Sequence, residues 1–158
     1  MSLFHHPLVP VADADDAAAT ADALRPHLDA VERLTVVHIV QKAGGAVDKA
    51  PLAKRRADAT RFLSTLETRL EDHEVAVETA VTFGTDVAET VVQTATDVDA
   101  TAVAFRPRGG SRLVRWLSGD TAVRLVSNPE LPVVALPTSG PDRTVEATRG
   151  SAERTEVS

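Results

Sequence analysis

Apolar and polar residues follow one another along the chain in blocks that predict alternating strands and helices. Four short segments are largely apolar, which is typical of strands buried on both faces of a parallel sheet. These segments are Pro7–Val11, Leu34–Val40, Ala100–Phe105 and Pro132–Leu136. Residues 74–84 alternate instead between apolar and polar positions, so this segment is predicted to be a half-exposed strand at a sheet edge.

Segments with helical spacing separate these strands. Apolar residues recur every three or four positions over residues 51–72, and similar segments follow the first and third strands. Asp13 or Asp15 is suited to cap the first helix, and a shorter helix is predicted over residues 121–127. Strands that alternate with helices predict an α/β, Rossmann-like fold, with a five-stranded parallel sheet and helices on both faces.

The chain of 158 residues is long enough for one domain with a proper core. Residues 1–137 carry all the predicted strands and helices and are assigned to this domain. Residues 138–158 combine scattered small apolar residues with charges of both signs, which predicts a disordered tail. There is neither an apolar run of about 20 residues nor a signal-like start, so no membrane contact is expected and the protein is predicted to be cytoplasmic.

Charge and cysteine content narrow the function classes. Asp and Glu number 23 against 17 Lys and Arg, a net charge of −6, which argues against nucleic-acid binding because that requires a basic face. Only Lys42, Lys49 and Lys54 are lysines. Such an acidic, lysine-poor surface fits a cytoplasm at high salt, and it fits a GC-rich genome equally well. The chain has no cysteine, which excludes disulfides and thiol catalysis.

Ligands of open parallel sheets bind beyond the carboxyl ends of the strands, where the strand order reverses. Residues 12–15, residues 41–45 and the loop after the fourth strand are predicted to lie there. The loop, FRPRGGSRLVRWLSGD over residues 105–120, carries four arginines and three glycines in an otherwise acidic chain. It leads to a helix start near Gly119, where free backbone N–H groups favour an anion.

Several segments resemble the universal stress protein family in order and spacing: PLVPV, LTVVHIV, FGTDVAETVV and RGGSRLVRWLSGDTAVRLVSNPELPVVALP. The resemblance covers nearly all of residues 3–137. It implies a fold of the adenine nucleotide α hydrolase-like type and a homodimer that pairs the last strand across a two-fold axis. That strand would otherwise be an exposed edge, and its apolar residues are the candidates for the dimer interface: Val133, Val134, Ala135 and Leu136.

One branch of this family binds ATP through the pattern Gly-x-x-Gly-x9-Gly-(Ser/Thr), with an Asp after the first strand. Here the second and third glycines fall on Gly109 and Gly119, whereas the first falls on Arg106 and the hydroxyl falls on Asp120. The Asp falls on Ala12, which cannot hydrogen-bond a base or a ribose. These departures put bulk and negative charge where phosphate groups would lie.

Two interpretations of the arginine loop stay open. Its arginines either are solvated or form salt links to acids of the protein, or they form a cradle that holds an anion by charge. The candidate nucleotide- or anion-binding residues are Val11, Ala12, Val40, Arg106, Arg108, Gly109, Gly110, Ser111, Gly119, Asp120 and Thr121. Thr121 would replace the lost hydroxyl if the helix start shifted by one residue, and Asp120 is also suited to cap the helix that begins at Thr121.

No Walker lysine and no Gly-x-Ser-x-Gly segment is present, and no cofactor is expected apart from the open question of ATP. The prediction is a non-catalytic, homodimeric stress-response protein that acts through an unknown protein partner or by sensing a small anion. The alternative is an ATP- or nucleotide-binding switch in which the arginines compensate for the lost motif residues.

The histidines are not predicted to bind metal. His5 and His6 are adjacent in a strand and point to opposite faces, so they cannot chelate one ion together. Both are expected to lie at the surface at the start of the first strand. His38, within an apolar strand, is expected to be a core histidine with its hydrogen bonds satisfied.

Overall fold

Five strands of the chain form one parallel sheet. The computed structural model describes residues 2–41, 52–106 and 131–137. The strands are β1 (Pro7–Pro10), β2 (Arg33–Gln41), β3 (Ala76–Gly84), β4 (Ala102–Phe105) and β5 (Val133–Ala135). Their order in the sheet is β3-β2-β1-β4-β5, and every neighbouring pair is parallel. The predicted α/β fold with a five-stranded parallel sheet is confirmed.

Helices connect the strands. Within the described ranges they are α1 (Ala14–Leu24), a 3-10 helix (Arg25–Ala30), α2 (Leu52–Leu70) and α3 (Val87–Asp97). Asp13 caps α1 as predicted, because its Oδ1 accepts a hydrogen bond from the Asp16 N–H at 2.8 Å. The regular part of α1 ends just before Pro26, since a proline cannot continue the hydrogen-bond ladder of an α-helix.

The helices cover both faces of the sheet, as predicted. On one face α1 and α2 pack through a core that includes Leu24, Leu63 and Leu66. On the other face α3 packs through a core that includes Val91 and Val103. Successive side chains of the buried strands alternate between these two cores, because neighbouring residues of a strand point to opposite faces.

β3 lies at one edge of the sheet, which confirms the prediction made from its alternating pattern. It ends at Gly84, where α3 approaches closely. A Cβ atom at Gly84 would lie 2.2 Å from Thr90 Oγ1, and that hydroxyl donates a hydrogen bond to the Asp86 carbonyl. A glycine is therefore required at this position for α3 to pack as it does.

The prediction that His6 lies at the surface is wrong. Its side chain is buried, with 3% of the residue exposed, and His6 Nε2 lies 2.8 Å from Thr35 Oγ1. The alternation that separates His5 from His6 also explains the difference, because it directs His6 inward while His5 stays half-buried beside Glu32.

Some predicted elements lie outside the described residues. They are the helix over residues 121–127, the tail over residues 138–158 and most of the arginine loop, of which Phe105 and Arg106 are described. Within the described ranges, no helix is long and apolar enough to cross a membrane.

Candidate functional site

The strand order reverses between β1 and β4, and the carboxyl ends of these two strands define the candidate site. β1 is followed by Val11 and Ala12, and β4 is followed directly by Arg106. Connections that leave adjacent strands in opposite directions open a crevice at such a switch point, which is where open α/β sheets bind ligands. Three residues predicted from the sequence thus lie at the expected end of the sheet.

Arg106 is buried at this end of the sheet. Only 8% of the residue is exposed, and its Nη1 lies 3.9 Å from Oδ1 of Asp16 in the first turn of α1. This distance permits charge attraction but is too long for a hydrogen bond. Among the residues that the structure describes, neither Nε nor Nη1 of Arg106 has a hydrogen-bond partner, although both atoms are buried.

Asp16 is the buried carboxylate that faces Arg106. It is 1% exposed; its Oδ2 accepts from the Ala12 N–H at 3.0 Å, and its Oδ1 accepts from Thr20 Oγ1 at 3.3 Å. Burial raises the pKa of Asp16, and Asp13 nearby adds to the rise. The hydrogen bonds from Ala12 and Thr20 and the charge of Arg106 lower this pKa by less, so the net shift is upward.

The local sequence explains how Asp16 reaches this position. Asp13 caps α1, and Asp16 is the third residue of the helix, the position from which a capping-box side chain reaches back toward the chain before the helix. Here the carboxylate reaches the Ala12 N–H. The exchange of hydrogen bonds holds Asp16 against the end of β1 and therefore beside the neighbouring strand β4.

The arrangement supplies a cation with unsatisfied donors. Buried polar groups nearly always have a partner, and each exception calls for an explanation such as a bound water or ion. A guanidinium with two unpartnered N–H directions fits an acceptor oxygen or an anion better than it fits a metal or a nucleophile.

The model of the universal stress protein family matches residues 4–137. The chain belongs to the universal stress protein family. No curated protein matches the sequence significantly.

Solved structures of universal stress proteins share the fold. A protein of the family from Burkholderia pseudomallei is 24% identical, with a TM-score of 0.65, and the match covers 87% of this chain and 99% of that one. A universal stress protein from Archaeoglobus fulgidus in complex with dAMP is 19% identical, with a TM-score of 0.57 and coverage of 85% and 99%. A universal stress protein in complex with cAMP is 16% identical, with a TM-score of 0.57 and coverage of 84% and 98%.

Not all predicted site residues of this universal stress domain meet at the Arg106 site. Val40 is buried, and it lies in β2, on the side of β1 that faces away from β4. The remaining loop residues lie outside the described ranges; they are Arg108, Gly109, Gly110, Ser111, Gly119, Asp120 and Thr121. The structure therefore brings together Val11, Ala12 and Arg106 from the predicted set.

His38 supports this end of the sheet without taking part in the cluster. Its Nδ1 lies 2.9 Å from the Val11 carbonyl oxygen, so Nδ1 carries the proton and donates it. The ring packs edge-on against Phe62, with 5.1 Å between centroids. Burial lowers the pKa of His38, which keeps the ring neutral, and the expectation of a satisfied histidine is confirmed.

Sequence reasoning missed the role of Asp16. The sequence predicts Asp13 or Asp15 as the cap of the first helix, which is correct for Asp13, and it assigns no separate role to Asp16. The signal that distinguishes Asp16 is its spacing of three residues from the cap, because that spacing turns a side chain back toward the end of β1. Arg106 lies within charge-attraction distance of one acid of the protein, Asp16, and the choice between the two interpretations of the arginine loop stays open.

The sequence predicts that the last strand carries the dimer interface. β5 forms an edge of the described sheet, with Val133 and Val134 half-buried and Ala135 exposed. Leu136 is 2% exposed and belongs to the core beneath α1 and α2, so a partner would meet the other three residues first. Pairing of two copies stays a prediction.

Proposed function

We propose that this chain is a non-catalytic, homodimeric universal stress-type protein of the cytoplasm in which the nucleotide position of the family is closed. It acts in the stress response through contacts with a protein partner or by sensing a small anionic ligand. The observation that carries the proposal is the buried Arg106 side chain beside Asp16, at the point where the nucleotide motif of the family calls for its first glycine.

The volume of the Arg106 side chain and the charge of Asp16 both close the nucleotide position. A glycine lets a phosphate approach the backbone, whereas Arg106 adds a buried guanidinium side chain at this position, beside Asp16. Ala12 offers no carboxylate for a base or ribose. The charge of Asp16 repels a phosphate chain, and repulsion is strong where water is excluded.

The polar groups around the site support a role without catalysis. The Thr20 hydroxyl donates to Asp16, Asp16 also accepts from the Ala12 N–H, and His38 donates to the Val11 carbonyl. Each of these groups is held by a bond within the protein. A general base needs a substrate proton within hydrogen-bond reach, and these bonds turn the groups toward the chain itself.

Nucleotide binding is the second candidate. The universal stress proteins in complex with dAMP and with cAMP favour it, and further arginines of the loop would then compensate for the lost glycine and hydroxyl. In this case ATP gates the protein as a switch.

Calorimetry with ATP and Mg²⁺ separates the two candidates. The closed site predicts no heat up to millimolar ATP from the folded protein, and it predicts a gain of affinity when Arg106→Gly and Asp120→Ser are combined, since the motif is then restored. Tight binding by the unchanged protein, lost in the Arg106→Gly variant, would instead establish the nucleotide switch.

The dimer is proposed to form through the outer edge of β5. The Pro132 carbonyl and the Leu136 N–H bond to β4, so the alternate residues Val133 and Ala135 direct their backbone groups outward. Ala135→Pro removes an outward N–H and leaves the bonds to β4 in place. Sedimentation should show a monomer for Ala135→Pro and a dimer for Ala135→Thr; two dimers would contradict the interface.

A further inference from the structure

The Arg106 cluster combines two features that point to a ligand. The first is a buried guanidinium whose Nε and Nη1 lack a hydrogen-bond partner among the described residues. The second is Asp16 in the first turn of α1, a carboxylate that is 1% exposed and lies 3.9 Å from Arg106 Nη1. An unsatisfied guanidinium favours an anion, and Asp16 is able to take up the proton that balances the charge of that anion. The dipole of α1 itself is already countered by the Asp13 cap and by the acidic first turn.

We propose that Arg106, at the first turn of α1, binds one small monovalent anion such as chloride, and that Asp16 takes up a proton when the anion binds. This site rests on the proposed function, because it requires that the nucleotide position is closed. It gives the anion-sensing role a ligand class and a mechanism.

Size limits the ligand. Both unpartnered atoms of Arg106 are shielded from solvent, and the Asp16 side chain beside them is 1% exposed. A nucleotide is too large to contact these shielded atoms unless the protein groups that cover them move. A small ion needs much less space than a nucleotide.

Charge selects a monovalent anion. The guanidinium and the Asp16 carboxylate together carry no net charge, so an added anion leaves one uncompensated negative charge in a buried site. Uptake of one proton by Asp16 restores neutrality, whereas a divalent anion would need a second proton. A protonated Asp16 also gains an O–H that can donate to the anion.

The surroundings of Asp16 are suited to this proton uptake. Asp13, the cap of the same helix, disfavours the charged form of Asp16. Arg106 just after β4, the Ala12 N–H just after β1 and the Thr20 hydroxyl of α1 favour it. Burial outweighs them and raises the pKa of Asp16. An anion at Arg106 offsets the positive charge that opposes protonation, so anion and proton bind cooperatively.

The test compares the thermal unfolding of the full chain in chloride and in gluconate at one ionic strength, since gluconate is too bulky for the site. Chloride should raise the melting temperature of the unchanged protein by stabilising the folded state. The apparent affinity for chloride should fall by up to about tenfold for each pH unit above the pKa of Asp16.

Two variants separate the site from general salt effects. Asp16→Asn should bind chloride more tightly near neutral pH and lose the pH dependence, because the proton is no longer needed. Asp16→Asn combined with Arg106→Gln removes both charges, keeps the shape of residue 16 and leaves a shorter polar side chain at position 106, and this variant should lose the chloride effect. The line width of the ³⁵Cl NMR signal reports binding directly and should follow the same pattern.

Equal chloride responses in the unchanged protein and the double variant would overturn the anion site, as would no response in either. That result leaves the closed nucleotide site standing if ATP also fails to bind. Tight ATP binding by the unchanged protein would overturn the proposed function itself, so the two failures are distinguishable.

Discussion

The two ends of β1 carry buried polar clusters that differ in how fully their hydrogen bonds are satisfied. At the amino end, the His6 ring faces Thr35 Oγ1 at 2.8 Å and the Asp99 backbone. The His6 N–H donates to Thr101 Oγ1, which itself donates to the Leu3 carbonyl. At the carboxyl end, Arg106 lies 3.9 Å from Asp16 with two of its buried nitrogens unpartnered among the described residues.

This difference in hydrogen bonding distinguishes the two clusters: the His6 cluster is structural, whereas the Arg106 cluster still has donors for a ligand. A buried network that is fully satisfied stabilises one arrangement, whereas a partly satisfied network is penalised until a further partner arrives. His6 and Thr101 link β1 to β4 at the amino end, where ligands of such sheets do not bind. Arg106 and Asp16 lie at the opposite end of the sheet, where ligands of such sheets bind.

The largest expected effect comes from breaking the ion pair at the carboxyl end. Arg106→Met should lower the free energy of unfolding by about 3 kcal/mol near neutral pH, because it leaves the Asp16 charge buried and unpaired. The loss should shrink at lower pH, since Asp16 then accepts a proton. Urea unfolding in gluconate buffer measures both quantities.

A double-mutant cycle supplies the control for this prediction. Asp16→Asn combined with Arg106→Met removes both charges and should recover much of the lost stability, because uncharged partners carry no such penalty. Additive losses from the two single substitutions would show that Arg106 and Asp16 do not interact, and would remove the basis of the comparison.

A smaller loss is expected at the amino end. His6→Ala should lower the free energy of unfolding by about 2 kcal/mol, because Thr35 Oγ1 is left buried without its partner. His5→Ala is the matched control on the opposite face of the same segment, and it should change stability by less than about 0.5 kcal/mol. Equal losses for both would contradict the inward position of His6.

The two clusters should respond to pH with opposite signs. Burial lowers the pKa of His6, so the unfolded chain takes up the proton first and stability falls as the pH drops below about 6.5. Burial raises the pKa of Asp16, so the folded chain takes up that proton first. The contribution of Asp16 to the stability of the folded state therefore increases as the pH falls through the raised pKa toward about 3.9, the ordinary pKa of aspartate.

Unfolding free energies across pH test these signs. In the His6→Gln variant, the free energy of unfolding should no longer fall as the pH drops below about 6.5, the ordinary histidine pKa. The gain in stability from Asp16 at acidic pH should remain in this variant. The Asp16→Asn variant should do the reverse. Slopes of the same sign in both difference curves would show that one of the two environments is wrongly described.

Most of the fold follows from local patterns in the sequence. Apolar runs and alternation identify the strands, because a strand buried on both faces and a strand at an edge carry different periodicities. Asp13 is readable as a cap, since its side chain acts within the next three residues. Such features depend on near neighbours, so they can be predicted without the tertiary structure.

The candidate site is only partly predictable, because it depends on contacts between distant segments. The position of Arg106 after β4 is readable, and the family resemblance marks it as a departure from glycine. Its contact with Asp16 joins residues 90 positions apart in the chain, and no local pattern specifies it. The burial of His6 is missed for the same reason, since its partner Thr35 lies in the neighbouring strand.

The smallest expected effect concerns the exposed ion pair Arg33–Glu78 near the amino end, which links β2 to β3. Exposed pairs contribute little to stability and are screened by salt, so Arg33→Gln should hardly change the unfolding midpoint. The pair still acts on His6, because Arg33 lowers the pKa of His6 and Glu78 raises it.

NMR titration of the His6 ring should therefore show its pKa rising in Arg33→Gln and falling in Glu78→Gln. Both shifts should decrease as salt is added. A large stability loss in Arg33→Gln would mean that this exposed pair holds the amino end together. In that case the position of an ion pair on the sheet, and not its burial, would decide how much the pair contributes to stability.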